Sequence, residues 1–244
     1  MNLHRFYCNS ITEPAVEVVG TEAHHLCSVL RLGVGDKVEL FDGAGSLATA
    51  TISTIKKSIV IVGIEHIQQT EPPKSRRIII AASIAKGERF DWLIEKCTEL
   101  GVDRICPVIF GRTVKQPKNP KLVERWGNLA ISAAKQCKRL FLPTIDPPVT
   151  LPDILQILKK DYPNARILLG MLSPDALPLA TLPFGSTDVI ALIGPEGGLT
   201  EQEESMLKKA GATGVCLTDT VLRVETAAIV FASILTAQRG AFEK

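Results

Sequence analysis

Five consecutive residues, Gly194, Pro195, Glu196, Gly197 and Gly198, lie between the apolar run Val189 to Ile193 and a helix start set by Thr200 and Glu203, whose spacing of three makes a capping box. A strand that runs through a Pro/Gly turn into a helix puts that turn at its carboxyl end, where open α/β sheets collect ligands. Adjacent glycines have no Cβ and tolerate positive φ, so a flat ligand can lie directly against peptide N–H and C=O groups. The acidic Glu196 opposes a phosphate and suits a ligand with a positive centre. Neither GxGxxG nor GxxxxGK[ST] occurs in the chain, so the fingerprints of a dinucleotide fold and of a P-loop are both missing. Taken alone, the turn serves equally well as a plain strand-to-helix connection.

A second segment repeats this grammar downstream. Val215, Cys216 and Leu217 read as a short buried strand, a polar turn passes through Thr218 and Asp219, and Leu222, Arg223, Val224, Glu225, Thr226 and Ala227 open the last helix. Arg223 is a fixed cation able to stabilise negative charge that develops on a substrate in a water-poor site, or a helix-start residue pairing with Glu225 or Glu196. Glu225 stands at a helix N-terminus, where the dipole favours its ionised form; it is a poor proton acceptor and reads as structural. Gln136 and Arg139 lie three apart on one helical face, and Lys86 and Arg112 end strand-like runs. Each of these four offers a polar contact to a ligand, or is an ordinary surface group.

These residues need a scaffold, and the chain supplies two kinds. Residues 5–7, 16–19, 37–41, 47–52 and 59–64 are short β-rich runs separated by Gly and Asp turns, with helical spacing over 22–30, the pattern of a small barrel. The stretch 68–75 holds two prolines and no large apolar residue, which marks a linker and a domain boundary after residue 72. Beyond it, strands at 77–82, 102–109, 166–169 and 188–193 alternate with helices at 89–100, 121–139 and 201–210, which implies a parallel sheet covered on both faces. The last helix, 225–239, is apolar almost all the way round and must be buried on every side, at the centre of one subunit or between two.

With 244 residues, 45% of them hydrophobic, the chain can build one large or two modest cores, and its net charge of +2 neither demands nor excludes nucleic acid. The distribution of charge says more. Lysines and arginines crowd the middle third, Lys115 and Lys118 among them, whereas 172–204 has none, an asymmetry that suits a phosphate-facing strip or a solvated helix face. Six scattered cysteines form no CxxC or Cys/His cluster and read as reduced thiols in a cytoplasmic protein. His24 and His25 are adjacent and point apart, so no metal site is expected. Neither a charged-then-apolar leader nor a run of 18 apolar residues is seen, which indicates neither secretion nor membrane spanning.

GPEGG at 194–198 followed by LRVETA at 222–227 resembles the SPOUT class of S-adenosylmethionine-dependent RNA methyltransferases, and within it the RsmE family, which methylates N3 of a uridine in 16S ribosomal RNA. Arg5-Phe6, His25, Val29-Leu30-Arg31, Gly35-Asp36, Phe41-Asp42-Gly43, Lys86, Lys96 to Val102, Pro107, Arg112, Glu124-Arg125-Trp126, Gln136, Arg139 and Pro143 extend the likeness over nearly the whole chain. The resemblance implies an α/β fold: a PUA-like β-barrel that grips RNA over 1–72, then a SPOUT domain with a trefoil knot over 73–244, working as a homodimer. It also implies a pocket for S-adenosylmethionine lined by Leu169, Gly170, Ile193, Gly194, Pro195, Glu196, Gly197, Gly198, Leu217, Thr218, Leu222, Thr226 and Ala227. Arg223, Gln136 and Arg139 are then the candidates for the catalytic site. Arg5, Arg31, Lys86 and Arg112 are the candidates for contacts to ribosomal RNA of the small subunit. Thr218 and Thr220 stand where the family has Gly and Arg, in the cofactor loop itself. They keep two further readings open: an RNA-binding assembly factor without catalysis, and a SPOUT enzyme for another RNA position.

Overall fold

A computed structural model describes residues 3–57, 59–113 and 121–241. Lys115 and Lys118 of the basic middle third lie outside the described residues. The chain divides into two compact units, one made of 1–72 with 134–142 and the other of 73–133 with 143–244.

The first unit is a five-stranded sheet in the order β1-β3-β4-β5-β2, from β1 (His4–Tyr7), β2 (Ala15–Val19), β3 (Lys37–Phe41), β4 (Ser46–Lys56) and β5 (Ile59–Gln69). β1 and β3 are parallel; every other pair is antiparallel. Alternation decides which face is inside: Val16 and Val18 point in while Glu17 and Val19 point out, and Ala48, Ala50 and Ile52 alternate with half-buried residues along β4. Between β2 and β3, α1 (Gly20–His24) continues into a π-helical turn, His25–Val29, whose Leu26 joins Phe6, Val18, Val38, Leu40 and Val60 in the core. Residues 134–142 belong to this unit: Lys135 Nζ meets Glu22 Oε1 at 2.6 Å, and Leu142 donates its N–H to the Gly43 carbonyl at 2.9 Å.

The second unit carries an all-parallel sheet. Its strands are β6 (Ile78–Ser83), β7 (Arg104–Ile109), β8 (Thr144–Ile145), β9 (Val149–Thr150), β10 (Arg166–Gly170), β11 (Leu177–Pro178), β12 (Val189–Ile193) and β13 (Thr213–Cys216). The order is β11-β13-β10-β12-β6-β7-β8, with β9 paired to β7. Every residue of β6 and β12 is buried, as expected of central strands covered on both faces. The helices are α2 (Arg89–Glu99), α3 (Leu122–Cys137), α4 (Leu151–Asp161), α5 (Glu201–Lys209) and α6 (Val224–Ala241); α3 starts in this unit and its last turn falls in the first. α2 turns Phe90, Leu93, Ile94 and Cys97 inward, and Phe90 packs on Trp126 of α3 with ring centroids 4.8 Å apart. α6 is anchored at its far end by Arg239, which donates to Asp103 and to the Gly101 carbonyl, each at 2.7 Å. Among the described residues no helix is long and apolar enough to cross a membrane.

Candidate active site

The sheet order sets β13, β10 and β12 side by side with their carboxyl ends level: Gly170 is in register with Ile193 on one side and with Val215 on the other. The three segments leaving those strands, 171–172, 194–198 and 217–222, therefore converge, and they enclose a cavity of about 560 Å³ floored by α5 and α6. This is the end of a parallel sheet at which ligands bind, and the size is ordinary for a small-molecule site. The residues expected from sequence to hold a cofactor all line it except Gly197 and Thr226. It is also lined by Met171, Leu172, Leu199, Leu207 and Ala212, which the sequence reading does not name.

Glycines let the backbone around the cavity pack closely on its neighbours. A Cβ on Gly170 would stand 2.9 Å from Phe231 Cε2 of α6, and one on Gly214 would collide with the Met171 sulfur. The walls are mainly apolar, with the carboxylates of Glu196 and Glu204 at the edge. This chemistry fits S-adenosylmethionine: bare peptide for an adenine, apolar surface for its ring, and acidic groups for a sulfonium or an ammonium.

The Gly194-to-Gly198 turn is held from two sides. Arg112, in the loop after β7, donates from Nη1 to the Gly197 carbonyl at 3.0 Å; it thus has a structural task in addition to whatever contact it offers RNA. Glu203 is the second anchor. Its Oε2 accepts from the Thr200 amide at 2.8 Å and hydroxyl at 2.9 Å, and its Oε1 accepts from the Gly111 amide at 2.8 Å, so the expected capping box also ties the loop after β7 to the start of α5. Burial opposes ionisation of this carboxyl, yet the amides of Thr200 and Gly111, the Thr200 hydroxyl and the charge of Arg112 outweigh it and hold the group below its ordinary value of 4.5. A depressed folded-state value means that the stabilisation is present above about pH 4.5 and is lost as the pH falls through the lower value. Glu203→Gln is accordingly expected to unfold at lower temperature than wild type at neutral pH. Thermal melts at falling pH should show the gap closing; a gap that stays constant to the acid limit removes the assignment.

Arg223 is exposed beside this cavity and shares a second one, about 550 Å³, with Arg89, Glu196, Val221 and Leu222. It forms no ion pair with Glu196 or Glu225, because both carboxylates face Arg89, at 2.5 Å and 3.9 Å. Glu225 is buried, as a structural residue should be, although its Oε2 has no hydrogen-bond partner. Gln136 and Arg139 belong to the segment grouped with the first unit and line neither cavity.

Of the residues assigned to RNA, Lys86 is exposed just before α2, and Arg31 is exposed with φ at +55°. Arg5 differs from the expectation. Its register partner on β3 is Glu39, to which it donates at 3.0 Å, and its side chain is only 6% accessible, so the cation is used inside the unit rather than offered outward. Thr218 folds its hydroxyl onto the Thr220 carbonyl at 3.0 Å, which ties the altered cofactor loop to itself while both residues still line the cavity.

Comparison with known proteins gives the family of the chain. The model of an RNA methyltransferase domain matches residues 72–236, and that of an RNA methyltransferase PUA domain matches residues 20–65. Ribosomal RNA small subunit methyltransferase E of Synechocystis sp. is 30% identical over 90% of this chain and 72% of its own length. The Rickettsia conorii protein of the same name is 30% identical over 94% and 93%. A crystal structure of ribosomal RNA small subunit methyltransferase E from Neisseria gonorrhoeae, bound to S-adenosyl methionine, superposes with a TM-score of 0.85 at 30% identity and covers 97% of this chain and 98% of that one. An RNA methyltransferase domain over 72–236, a PUA domain before it, and 30% identity to ribosomal RNA small subunit methyltransferase E over nearly the whole chain make this chain a member of the RsmE family of ribosomal RNA small subunit methyltransferases.

Proposed function

We propose that this chain methylates N3 of a specific uridine in the 16S ribosomal RNA of the small subunit, with S-adenosylmethionine as methyl donor, in the cytoplasm and as a homodimer. The observation that carries this reading is the cavity at the ends of β10, β12 and β13, opening beside a second cavity that presents two arginines. The donor supplies an electrophilic methyl group, whose transfer needs alignment more than covalent help. The chain's own residues do the rest. Gly170, Gly198 and the neighbouring peptide groups hold the donor. Arg223 stabilises the negative charge that spreads onto the uracil oxygens as N3 loses its proton. The target base leaves its stack to reach the cavity. The PUA-like domain, 1–72, adds affinity for RNA, and 73–244 carries the methyltransferase chemistry and the trefoil knot of its class. Mass spectrometry of nucleosides from 16S ribosomal RNA of cells with and without the protein tests this: N3-methyluridine that disappears with the gene supports it, and an unchanged profile rejects it. An assembly factor without catalysis, the reading left open by Thr218 and Thr220, would fail to bind S-adenosylmethionine in a calorimeter.

The dimer reading rests on α6. Phe231 is wholly buried beneath Gly170 within its own unit, so a charge there tests folding and not association. Ile229, Val230 and Ile234 are only partly buried and form the stripe that a partner would cover. Ile234→Glu is expected to shift a dimer to a monomer with little loss of thermal stability, because the charge is unpaired only in the associated state. Sedimentation at low micromolar concentration decides, and a wild type that sediments as a monomer excludes the homodimer.

A further inference from the structure

The second cavity sets three charged groups in one wall. Arg89 projects from the first turn of α2, Glu196 from the turn after β12, and Arg223 from the segment before α6, and all three face the same space. Arg89 stands between two carboxylates, with Nη1 2.5 Å from Glu196 and 3.9 Å from the buried Glu225. Glu225 thus fixes Arg89 from behind, while Glu196, whose side chain is 48% accessible, remains open to the cavity and to water. Glu196, Val221 and Leu222 line both cavities, so a group held in one lies next to a group held in the other.

The imide edge of uracil presents acceptor, donor, acceptor: O2, N3–H and O4. The cavity lining offers groups of the complementary kinds, two cationic donors, Arg89 and Arg223, and one anionic acceptor, Glu196. We propose that Arg89, Glu196 and Arg223 read the imide edge of the target uracil, and that Glu196 receives the N3 proton. The inference rests on the uridine N3 reading above and gives that reaction its missing proton acceptor. The N3–H bond breaks with its electron pair left on N3, the proton goes to a Glu196 oxygen, and N3 forms its bond to the methyl carbon as the carbon–sulfur bond breaks with its pair returning to sulfur. The carboxylate's negative charge and the sulfonium's positive charge vanish together, and Glu196 then passes its proton to solvent. Cytosine has an unprotonated N3 and an amino group on that edge; it would turn a lone pair toward Glu196 and an N–H toward an arginine, and be rejected.

The charged groups around Glu196 are Arg89 from α2, Glu225 from α6 acting through Arg89, Arg223, Arg112 on the neighbouring Gly197 carbonyl, and Glu204 and Lys208 of α5 on the other cavity. Glu225 is the rival acceptor. It lines neither cavity and is 5% exposed, with no route for a proton to water.

The test compares wild type, Glu196→Gln and Glu225→Gln on small subunits prepared from cells lacking the protein, in single turnover from pH 6 to 10 and in equilibrium binding. Glu196→Gln is expected to slow methylation about a hundredfold at neutral pH. Its rate should then climb about tenfold per pH unit until the uracil imide ionises by itself, because the variant must wait for that ionisation. Wild type should be nearly flat over the same range. The thermal unfolding midpoint should match that of wild type, which shows that the fold is intact. Binding to subunits whose target uridine is changed to cytidine should be at least about tenfold weaker than to the natural subunits for wild type, and that gap should narrow by about threefold or more for Glu196→Gln, since an amide can turn a donor to the cytosine N3 while the arginine still opposes the amino group. A Glu196→Gln enzyme with wild-type rate and pH profile overturns the proposal, and so does the steep pH dependence appearing in Glu225→Gln instead. If wild type forms no N3-methyluridine, the functional reading and this inference fall together; if it does and Glu196→Gln is unaffected, only the inference falls.

Discussion

Arg223→Ala is expected to lower the rate of methylation by about 10² to 10³ while affinity for S-adenosylmethionine changes less than about threefold. The magnitude is that of removing one preorganised donor from a site where charge develops in the transition state. The selectivity follows from where the side chain lies: Arg223 shares its cavity with Arg89 and Glu196, and it makes no ion pair to either acidic neighbour that would hold the cofactor turn in shape. Single-turnover rates with saturating donor, set beside calorimetric affinities, separate the two effects. Rate and affinity falling in parallel would make Arg223 a residue that shapes the loop, and the stabilising cation would have to be Arg89.

Gly198→Val is expected to weaken S-adenosylmethionine binding by at least about tenfold, roughly 1.4 kcal/mol, with the fold retained. Two causes act together. Gly198 has φ at +76°, a region costly for any side chain and most so for a β-branched one, at about 1–2 kcal/mol. The residue also lines the cavity, so the added methyl groups occupy ligand space or displace Arg112, whose Nη1 lies 3.6 Å from the new Cβ position. Gly198→Ala isolates the backbone term and should lose less. Calorimetry on folded protein decides, and wild-type affinity in Gly198→Val detaches the turn from cofactor binding.

What the sequence reveals and what it hides divide along the range of the interactions. The turn at 194–198 and its capping box are legible because Thr200 and Glu203 are three residues apart and satisfy each other. The bond from Gly111 to the same Glu203 is invisible in one dimension, since 92 residues separate the pair. Arg89 carries no local signal for the same reason, as its partner Glu196 is 107 residues away. Arg5 reads as a free cation until the parallel pairing of β1 and β3 sets it opposite Glu39. Met171 and Leu172 become cavity walls only because β10 lies between β12 and β13, an order that no local pattern encodes. α4 escapes for a different reason: Pro147, Pro148 and Pro152 make its surroundings look like loop, although a proline in the first turn suits a helix, and Leu151, Ile154 and Leu158 give it one apolar face.

The pairing of β12 with both β6 and β10 has a consequence for the protein as it is being made. Val189 of β12 sits opposite Ile78 of β6 and opposite Arg166 of β10, so the strand that joins the two halves of the sheet is synthesised after both. Until it emerges from the ribosome, β6 is an open edge made wholly of residues destined for the interior, and β10 has neither neighbour in place. Such edges invite pairing with other chains. Nascent or prematurely terminated chains ending between 171 and 188 therefore expose these edges to aggregation; synthesis of β12 joins the two halves, and β10 keeps one open edge until β13 is made.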